Sequence, residues 1–167
     1  MALEIKDMDE KVARFMLRAA KFEFFLVNFN IGFAHLSDHD MFHTVAGLNW
    51  SALAEHVEQK CPFAAFDFET AGFAAFKHTA PMYLTWHSDA GLKWDSRMEV
   101  IDSWDKLFNR SYAQLRNNIA HGNKMQLPSA FAENRTAMFL SAGNALVDFI
   151  AAEVLGVSYW DAPLYFQ

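Results

Sequence analysis

The stretch DMDEKVARFMLRAAKFEFFLVNF, residues 7–29, decides the fold of this chain. Its apolar residues recur at spacings of three and four, the period of one face of an α-helix. They are Val12, Phe15, Met16, Ala19, Phe22, Leu26 and Phe29. Because Asp7 or Asp9 can cap its start, the pattern predicts one continuous amphipathic helix of about 20 residues.

Three further segments show helical spacing. They are residues 49–60, with Asn49 as the N-cap; a helix from Asp95 or Ser96 to Ala120, followed by Gly122; and a helix from Ser129 or Asn134 to Gly156. Residues 35–48 read as a loop or a short helix. Residues 63–66 and 73–76 read as a pair of short helical turns around Gly72, and the segment between Pro81 and Gly91 as irregular or partly helical. No segment alternates apolar and polar residues for long, so we expect no sheet. The sequence predicts an all-α, single-domain bundle of four to five main helices over residues 1–167, with an aromatic tail at 157–167 that packs back.

Length and composition limit the class of protein. At 167 residues the chain has the size of one domain, and its 53% hydrophobic residues are too many for a disordered chain. Cys61 is the only cysteine, which excludes a disulfide framework and a cysteine-rich zinc site. The charged N-terminus does not resemble a secretory signal, and the most apolar stretch, residues 22–36, is shorter than the ~20 residues of a spanning helix. We therefore expect a cytoplasmic protein without membrane contact.

The formal net charge of −6 argues against a protein that binds nucleic acid over its whole surface. The charge is unevenly distributed, however. Residues 93–135 hold 7 of the 14 Lys and Arg against 5 acids, so this segment carries +2 and the remainder −8. Arg110, Arg116 and Lys124 lie in a stretch with no acid between residues 106 and 132. The sequence therefore leaves room for a local basic cleft.

One segment, YAQLRNNIAHG at 112–122, combines residues suited to phosphodiester chemistry. Arg116 is a permanent cation whose planar fork fits phosphate oxygens and the charge of a transition state. His121 titrates near neutrality and can take or give a proton. Asn117 lies four residues before His121 and shares its helical face. Because Arg116 is offset by ~140° from His121, both can face one cleft only if the helix ends at His121, where Gly122 can turn the chain.

A structural role for the same residues is the main alternative. Arg116 can pair with an acid such as Asp102 or Asp105, and a histidine before a C-terminal glycine can cap a helix. Judged by residue chemistry alone, this interpretation is favoured over catalysis, because ion pairs are common in helical bundles.

A second group of histidines, His35, His39 and His43, is spaced by four. The segment His39–His43 reads HDMFH and resembles the zinc-binding pattern His-Glu-x-x-His with a shorter acid. Its flanks are poor helix formers, so we expect a polar exposed loop rather than a metal site.

Leu115–Gly122, LRNNIAHG, resembles the signature of the HEPN superfamily. Members of this superfamily are helical bundles that carry an Arg, then a polar residue, and a His after a gap of four to six residues. The corresponding residues here are Arg116, Asn117 and His121, near the end of the penultimate long helix. HEPN toxins paired with a nucleotidyltransferase often carry a Tyr two residues after the His, and that position is Asn123 here.

The resemblance implies a metal-independent endoribonuclease that needs no cofactor and acts as a toxin or as an antiphage or stress defence effector. It implies RNA as the substrate, a homodimer whose protomers share the cleft, and an antitoxin or nucleotidyltransferase as a candidate partner. Arg116, Asn117 and His121 would be catalytic. We assign RNA or phosphate binding to Arg110, Asn118 and Lys124, which lie in or beside the motif. The alternatives are a non-catalytic HEPN-type module that binds RNA, a nucleotide or a protein, and a structural interaction protein.

Overall fold

The two longest elements are helices α1 (Ala2–Phe29) and α6 (Ala130–Phe149), which pack against each other. The structure, a computed structural model, describes residues 2–38, 42–89, 91–95, 99–120 and 130–162. The stripe predicted for α1 is confirmed for Phe15, Ala19, Phe22 and Leu26, which are buried in the apolar core. It is wrong for Phe29, which is 45% exposed, and the helix begins at Ala2, before the predicted cap at Asp7 or Asp9. The prediction of a single domain over residues 1–167 stays a prediction.

Helix α2 (Trp50–Lys60) begins and ends as the sequence predicts. The side chain of Asn49 caps it by accepting a hydrogen bond from the backbone N–H of Ala52 at 3.0 Å. The helix stops at Cys61, directly before Pro62, because the residue before a proline disfavours helical backbone. This helix buries Leu53 and Val57 in the core.

The prediction of a purely all-α fold is wrong, because the helix-rich chain also contains two antiparallel β-hairpins and is mixed α/β. Their strands are β1 (Ala34–Asp38) with β2 (His43–Leu48), and β3 (Tyr83–His87) with β4 (Gly91–Asp95). In β1 and β2 every residue except Ala34 and Leu48 is exposed. These strands therefore do not need the alternation of apolar and polar residues by which a half-buried strand is recognised in a sequence.

Residues 61–78 form short turns that pack on the indole ring of Trp104. A 3₁₀ turn (Phe63–Ala65) and the one-turn helix α3 (Ala75–His78) flank Gly72, whose φ of +81° places it in the left-handed region. The predicted turns around this glycine are thus present. Six phenylalanine rings lie 5.1–6.2 Å from the ring of Trp104: those of Phe63, Phe66, Phe68, Phe73, Phe108 and Phe149.

Trp104 also begins the helical run that ends in the candidate motif. The run consists of α4 (Trp104–Lys106), a π-helix (Leu107–Tyr112) and α5 (Ala113–Ala120). The predicted start at Asp95 or Ser96 is wrong: Asp95 ends β4, and the side chain of Ser103 caps the helix by accepting from the N–H of Lys106. The predicted turn at Gly122 lies outside the described residues.

The C-terminal segment returns to α1 as expected, over the part that the structure describes. Trp160 packs edge-on against Phe22 at 5.4 Å between ring centroids. Arg18 lies over the same indole at 5.1 Å and forms an ion pair with Asp161 at 2.7 Å. Residues 163–167 of the predicted tail lie outside the described residues.

One stretch, Asn134–Val154, is long and apolar enough to cross a membrane. It consists of most of α6 and a second π-helix (Ile150–Val154). Half of it is buried inside the protein, as in the core helix of a soluble protein, so this is weak evidence for a membrane span.

Gly143 allows α6 to approach α1 closely. A methyl group at Gly143 would lie 2.5 Å from Cε2 of Phe15, well inside van der Waals contact. We expect Gly143→Ala to lower the free energy of unfolding by about 1–3 kcal/mol through overpacking. Chemical denaturation measures this. Alanine is the better helix former by ~1 kcal/mol, so an unchanged or raised stability would contradict the close approach. The exposed Ser141→Ala in the same helix is the matched control.

Candidate functional site

Arg116 joins the motif helix α5 to the first helix of the chain. Its Nε donates to Oε1 of Glu23 in α1 at 2.7 Å, and its Nη2 lies 2.5 Å from the same oxygen. The side chains of Arg116 and Glu23 are 30% and 28% exposed, so the pair lies at the surface. The contact therefore holds the guanidinium in one place while leaving it accessible to a ligand.

Asn117 supports the same guanidinium from its other side. The Oδ1 of this exposed residue accepts a hydrogen bond from Nη1 of Arg116 at 2.9 Å. A guanidinium has five N–H groups, and these contacts use three of them. One N–H on each terminal nitrogen remains without a partner among the described residues. Two such donors on a planar fork suit two oxygens of a phosphate.

Tyr112 lies on the core side of the same helical run and is fully buried. Its hydroxyl has no hydrogen-bond partner within the described part of the chain. Burial raises the pKa of this phenol well above its ordinary value of 10, and the negative charge of Glu23 raises it further. Tyr112 thus stays neutral and is no proton donor or acceptor for the site at physiological pH.

Both polar atoms of the Asn118 side chain form hydrogen bonds inside the protein. Its Nδ2 donates to the carbonyl of Met82 at 2.8 Å, and its Oδ1 accepts from Nε2 of Gln114 at 2.7 Å. The residue is 2% exposed. It therefore anchors the chain just before β3 to the motif helix, and its predicted contact with RNA would require these bonds to break.

Of the remaining predicted site residues, the structure describes Arg110 alone. Arg110 lies in the π-helix, about half exposed, with its Nε 3.5 Å from Oε2 of Glu99. His121 and Lys124 lie outside the described residues. Arg116 and Asn117 are therefore the two predicted catalytic residues that the structure brings together.

Sequence reasoning missed Glu23 and the π-helix. Glu23 is the only acid between Glu10 and Asp38. An isolated acid on a mostly apolar and basic helix indicates a carboxylate that is buried or that pairs with a cation.

The π-helix directly precedes the motif, and its extra residue turns α5 relative to α4. Single-turn π insertions are frequent at functional sites, but their irregular spacing is not visible in apolar periodicity.

The histidine group does not form the helical pair that a zinc motif of this type needs. His35 and His43 lie on the two strands of the first hairpin, and Nδ1 of His43 contacts Oδ1 of Asp38 at 2.8 Å. His39 lies outside the described residues. Within the described ranges no three His, Cys, Asp or Glu side chains are grouped as metal ligands.

A polar cluster on the second hairpin consists of Thr85, His87 and Asp95. Nε2 of His87 lies 2.8 Å from Oδ2 of Asp95 and 3.0 Å from Oγ1 of Thr85. The same ring nitrogen faces both partners, so the histidine cannot relay a proton between them as in a nucleophile triad. The hydrogen bond from Thr85, and next the one from His87, lowers the pKa of Asp95.

The lowered pKa of Asp95 gives a pH prediction for this hairpin. A carboxyl whose pKa is lower in the folded than in the unfolded state stabilises the fold above its unfolded pKa. That contribution is lost as the pH falls through the folded pKa. In an NMR titration of side-chain carboxyls we expect Asp95 to titrate below its ordinary 3.8, and Thr85→Val to shift it upward. An unshifted Asp95 would contradict the cluster.

Comparisons with known proteins add no family. A scan against protein-family models and searches of curated proteins and solved structures each return no match for this chain. The resemblance to the HEPN superfamily therefore depends on the motif alone.

Asn117 and Asn118 provide a matched pair for testing which motif residue is structural. We expect Asn118→Ala to lower the free energy of unfolding by about 1–3 kcal/mol, because it leaves the partly buried carbonyl of Met82 without its donor. Asn117→Ala, at an exposed position, should change the free energy of unfolding by less than ~0.5 kcal/mol. Thermal and urea unfolding of the two variants check this, and equal effects would show that Asn118 is not the anchor.

Proposed function

We propose that this protein is a metal-independent endoribonuclease of HEPN type. The observation that carries the proposal is the arrangement of Arg116. Glu23 and Asn117 hold its guanidinium at the surface with two N–H groups left over, five residues before His121. The resemblance of residues 115–122 to the HEPN signature supplies the reaction class.

The proposed reaction is attack by the RNA 2′-hydroxyl on the adjacent phosphorus. His121 takes the 2′-hydroxyl proton or gives a proton to the leaving 5′-oxygen. The O2′–P bond forms and the P–O5′ bond breaks, so the products are a 2′,3′-cyclic phosphate and a 5′-hydroxyl. The free N–H groups of Arg116 stabilise the negative charge on the phosphorane-like transition state, and Asn117 keeps the guanidinium in place. No metal or cofactor takes part in this reaction.

The biological setting is proposed from the resemblance. A toxin or an antiphage or stress defence effector of this type acts on RNA in the cytoplasm, works as a homodimer and is restrained by an antitoxin or a nucleotidyltransferase partner. Lys124 and Arg110 would add positive charge for the RNA backbone beside the motif.

Cleavage of mixed RNA in EDTA tests the proposal. We expect the wild-type protein to cut, Arg116→Ala to lose about 10²-fold or more in rate, and His121→Ala to lose about 10²–10⁴-fold. Arg116→Lys should recover little, because an ammonium lacks the planar fork. Lys11→Ala, which removes an exposed cation near the start of α1, is the control and should cut like wild type. Intact RNA with pure, folded wild-type protein would contradict the ribonuclease.

A second candidate, a non-catalytic HEPN-type module that binds RNA, a nucleotide or a partner protein, is favoured by one observation. Glu23 compensates the positive charge of Arg116, which weakens its attraction for a phosphate. This candidate predicts RNA binding, or binding of another ligand, with no cleavage products. Incubation of RNA with the wild-type protein separates the two candidates, because both predict binding but only the first predicts cleavage products. Glu23→Gln should tighten binding in either case.

A further inference from the structure

A small aromatic pocket lies between helix α1 and the C-terminal segment. Its volume is about 190 Å³, and the residues that line it are Lys21, Phe24, Phe25, Asn28, Trp160 and Ala162. The four residues from α1 stand at positions i, i+3, i+4 and i+7, which share one face of a helix. At 100° per residue the centre of this face lies about 150° from Glu23, which contacts Arg116. The pocket is therefore separate from the candidate motif.

The aromatic walls of the pocket suit a planar ligand. Trp160 donates its indole N–H to Oδ1 of Asp148 at 3.0 Å, and its ring lies 6.2 Å from that of Phe25. Phe24 is 61% exposed, so much of its ring is free to stack. Drug-sized ligands occupy pockets of about 300–1,000 Å³, so the smaller volume here fits a single ring system.

Two polar side chains at opposite ends of the pocket have hydrogen-bonding groups to spare. The Nδ2 of Asn28 donates to the carbonyl of Phe24 at 2.8 Å, so its Oδ1 and a second N–H have no partner among the described residues. The ammonium of Lys21 donates to the carbonyl of Asp161 at 3.1 Å and lies 4.0 Å from Oδ1 of the same residue. Because an ammonium has three N–H groups, Lys21 can still donate to a ligand.

A second cation continues this face of α1 beyond the pocket. Arg14 lies seven residues before Lys21, which is two helical turns, and it is exposed and unpaired within the part of the chain that the structure describes. No acid occurs between Glu10 and Glu23. An anionic group that extends from the pocket past Lys21 therefore meets a guanidinium, whose planar fork fits phosphate oxygens.

We propose that the aromatic pocket binds a nucleobase, and that Lys21 and Arg14 bind the phosphate attached to it. The rings supply the stacking that every base can use. The donor and acceptor of Asn28 pair with the edge of the base, and adenine is the base that a side-chain amide recognises best. The same chemistry is present in a free mononucleotide and in an RNA strand. For the strand, the inference rests on the proposed function.

A strand that reaches both the pocket and Arg116 passes over α1, because the two lie on opposite sides of a helix about 10–12 Å across. The pocket then acts on binding and takes no part in the chemical step. Loss of the pocket is therefore expected to raise KM for RNA and to leave kcat unchanged, whereas loss of Arg116 lowers kcat.

Fluorescence anisotropy with labelled 2′-O-methyl hexanucleotides tests the pocket without cleavage, because the blocked 2′ oxygen cannot attack. We expect the wild-type protein to bind the adenine hexamer about 10-fold more tightly than the uracil hexamer. Phe24→Ala should lose about 5–150-fold in affinity, and Phe24→Trp should retain it, because stacking needs only a ring. Leu17→Ala, at a 60% exposed position of α1 outside the pocket, is the matched control and should bind like wild type. Equal binding of the two hexamers, or an unchanged affinity of Phe24→Ala, would overturn the proposal.

Asn28→Asp tests the polar end of the pocket. The substitution keeps the shape of the side chain but replaces the amide donor with a negative charge, so the affinity for the adenine hexamer should fall about 10-fold or more. Circular dichroism checks that this variant and the Phe24 variants are folded. An Asn28→Asp protein that is folded and still prefers adenine would contradict the assigned role of Asn28.

Competition by AMP distinguishes the two sources of the base. Displacement of the labelled adenine hexamer by AMP at equal concentrations of the two identifies a free nucleotide as the ligand. A hexamer that binds more tightly than AMP identifies an RNA strand, and no adenine-dependent binding of either would refute the pocket. Adenine-dependent binding by a protein that leaves RNA intact would refute the ribonuclease and keep the pocket. Cleavage whose KM is the same in Phe24→Ala would do the reverse.

Discussion

Aromatic packing around Trp104 determines where the candidate motif lies. The indole ring is buried against six phenylalanines from three parts of the chain, and its Nε1 donates to the carbonyl of Cys61 at 2.7 Å. Trp104 is also the first residue of the helical run that ends in α5, so the same contacts that order residues 61–78 fix the start of that run. Arg116 consequently lies beside α1, where it forms an ion pair with Glu23.

The parts of the fold that follow from apolar periodicity could be predicted from the sequence. The buried apolar stripe of α1 and the Asn49 cap of α2 are each encoded within a few neighbouring residues, and the structure has both. The first hairpin could not be predicted, since its exposed strands have no buried side for which apolar residues are selected. The Arg116–Glu23 pair could not be derived either, because the two residues are 93 positions apart and only packing brings them together.

The electrostatics of Arg116 involve two opposing effects. Glu23 orients the guanidinium, which lowers the entropic cost of placing it against a phosphate. The same carboxylate reduces the net positive charge that an RNA strand would meet, and the protein as a whole carries −6. The compensation therefore weakens both the attraction for RNA and the electrostatic stabilisation of a transition state. In the proposed reaction, stabilisation of the transition state depends on the two directed N–H groups of Arg116 that remain free more than on net charge.

We propose that Arg116 and His121 promote attack by the 2′-hydroxyl of RNA. Mass spectrometry of the ends formed when the wild-type protein cuts a short RNA of defined sequence tests it most directly. This mechanism predicts a 2′,3′-cyclic phosphate on one fragment and a 5′-hydroxyl on the other. It also predicts no cut where the nucleotide before the scissile bond is 2′-deoxy. Fragments with 3′-hydroxyl and 5′-phosphate ends, or equal cutting of the 2′-deoxy substrate, would contradict it.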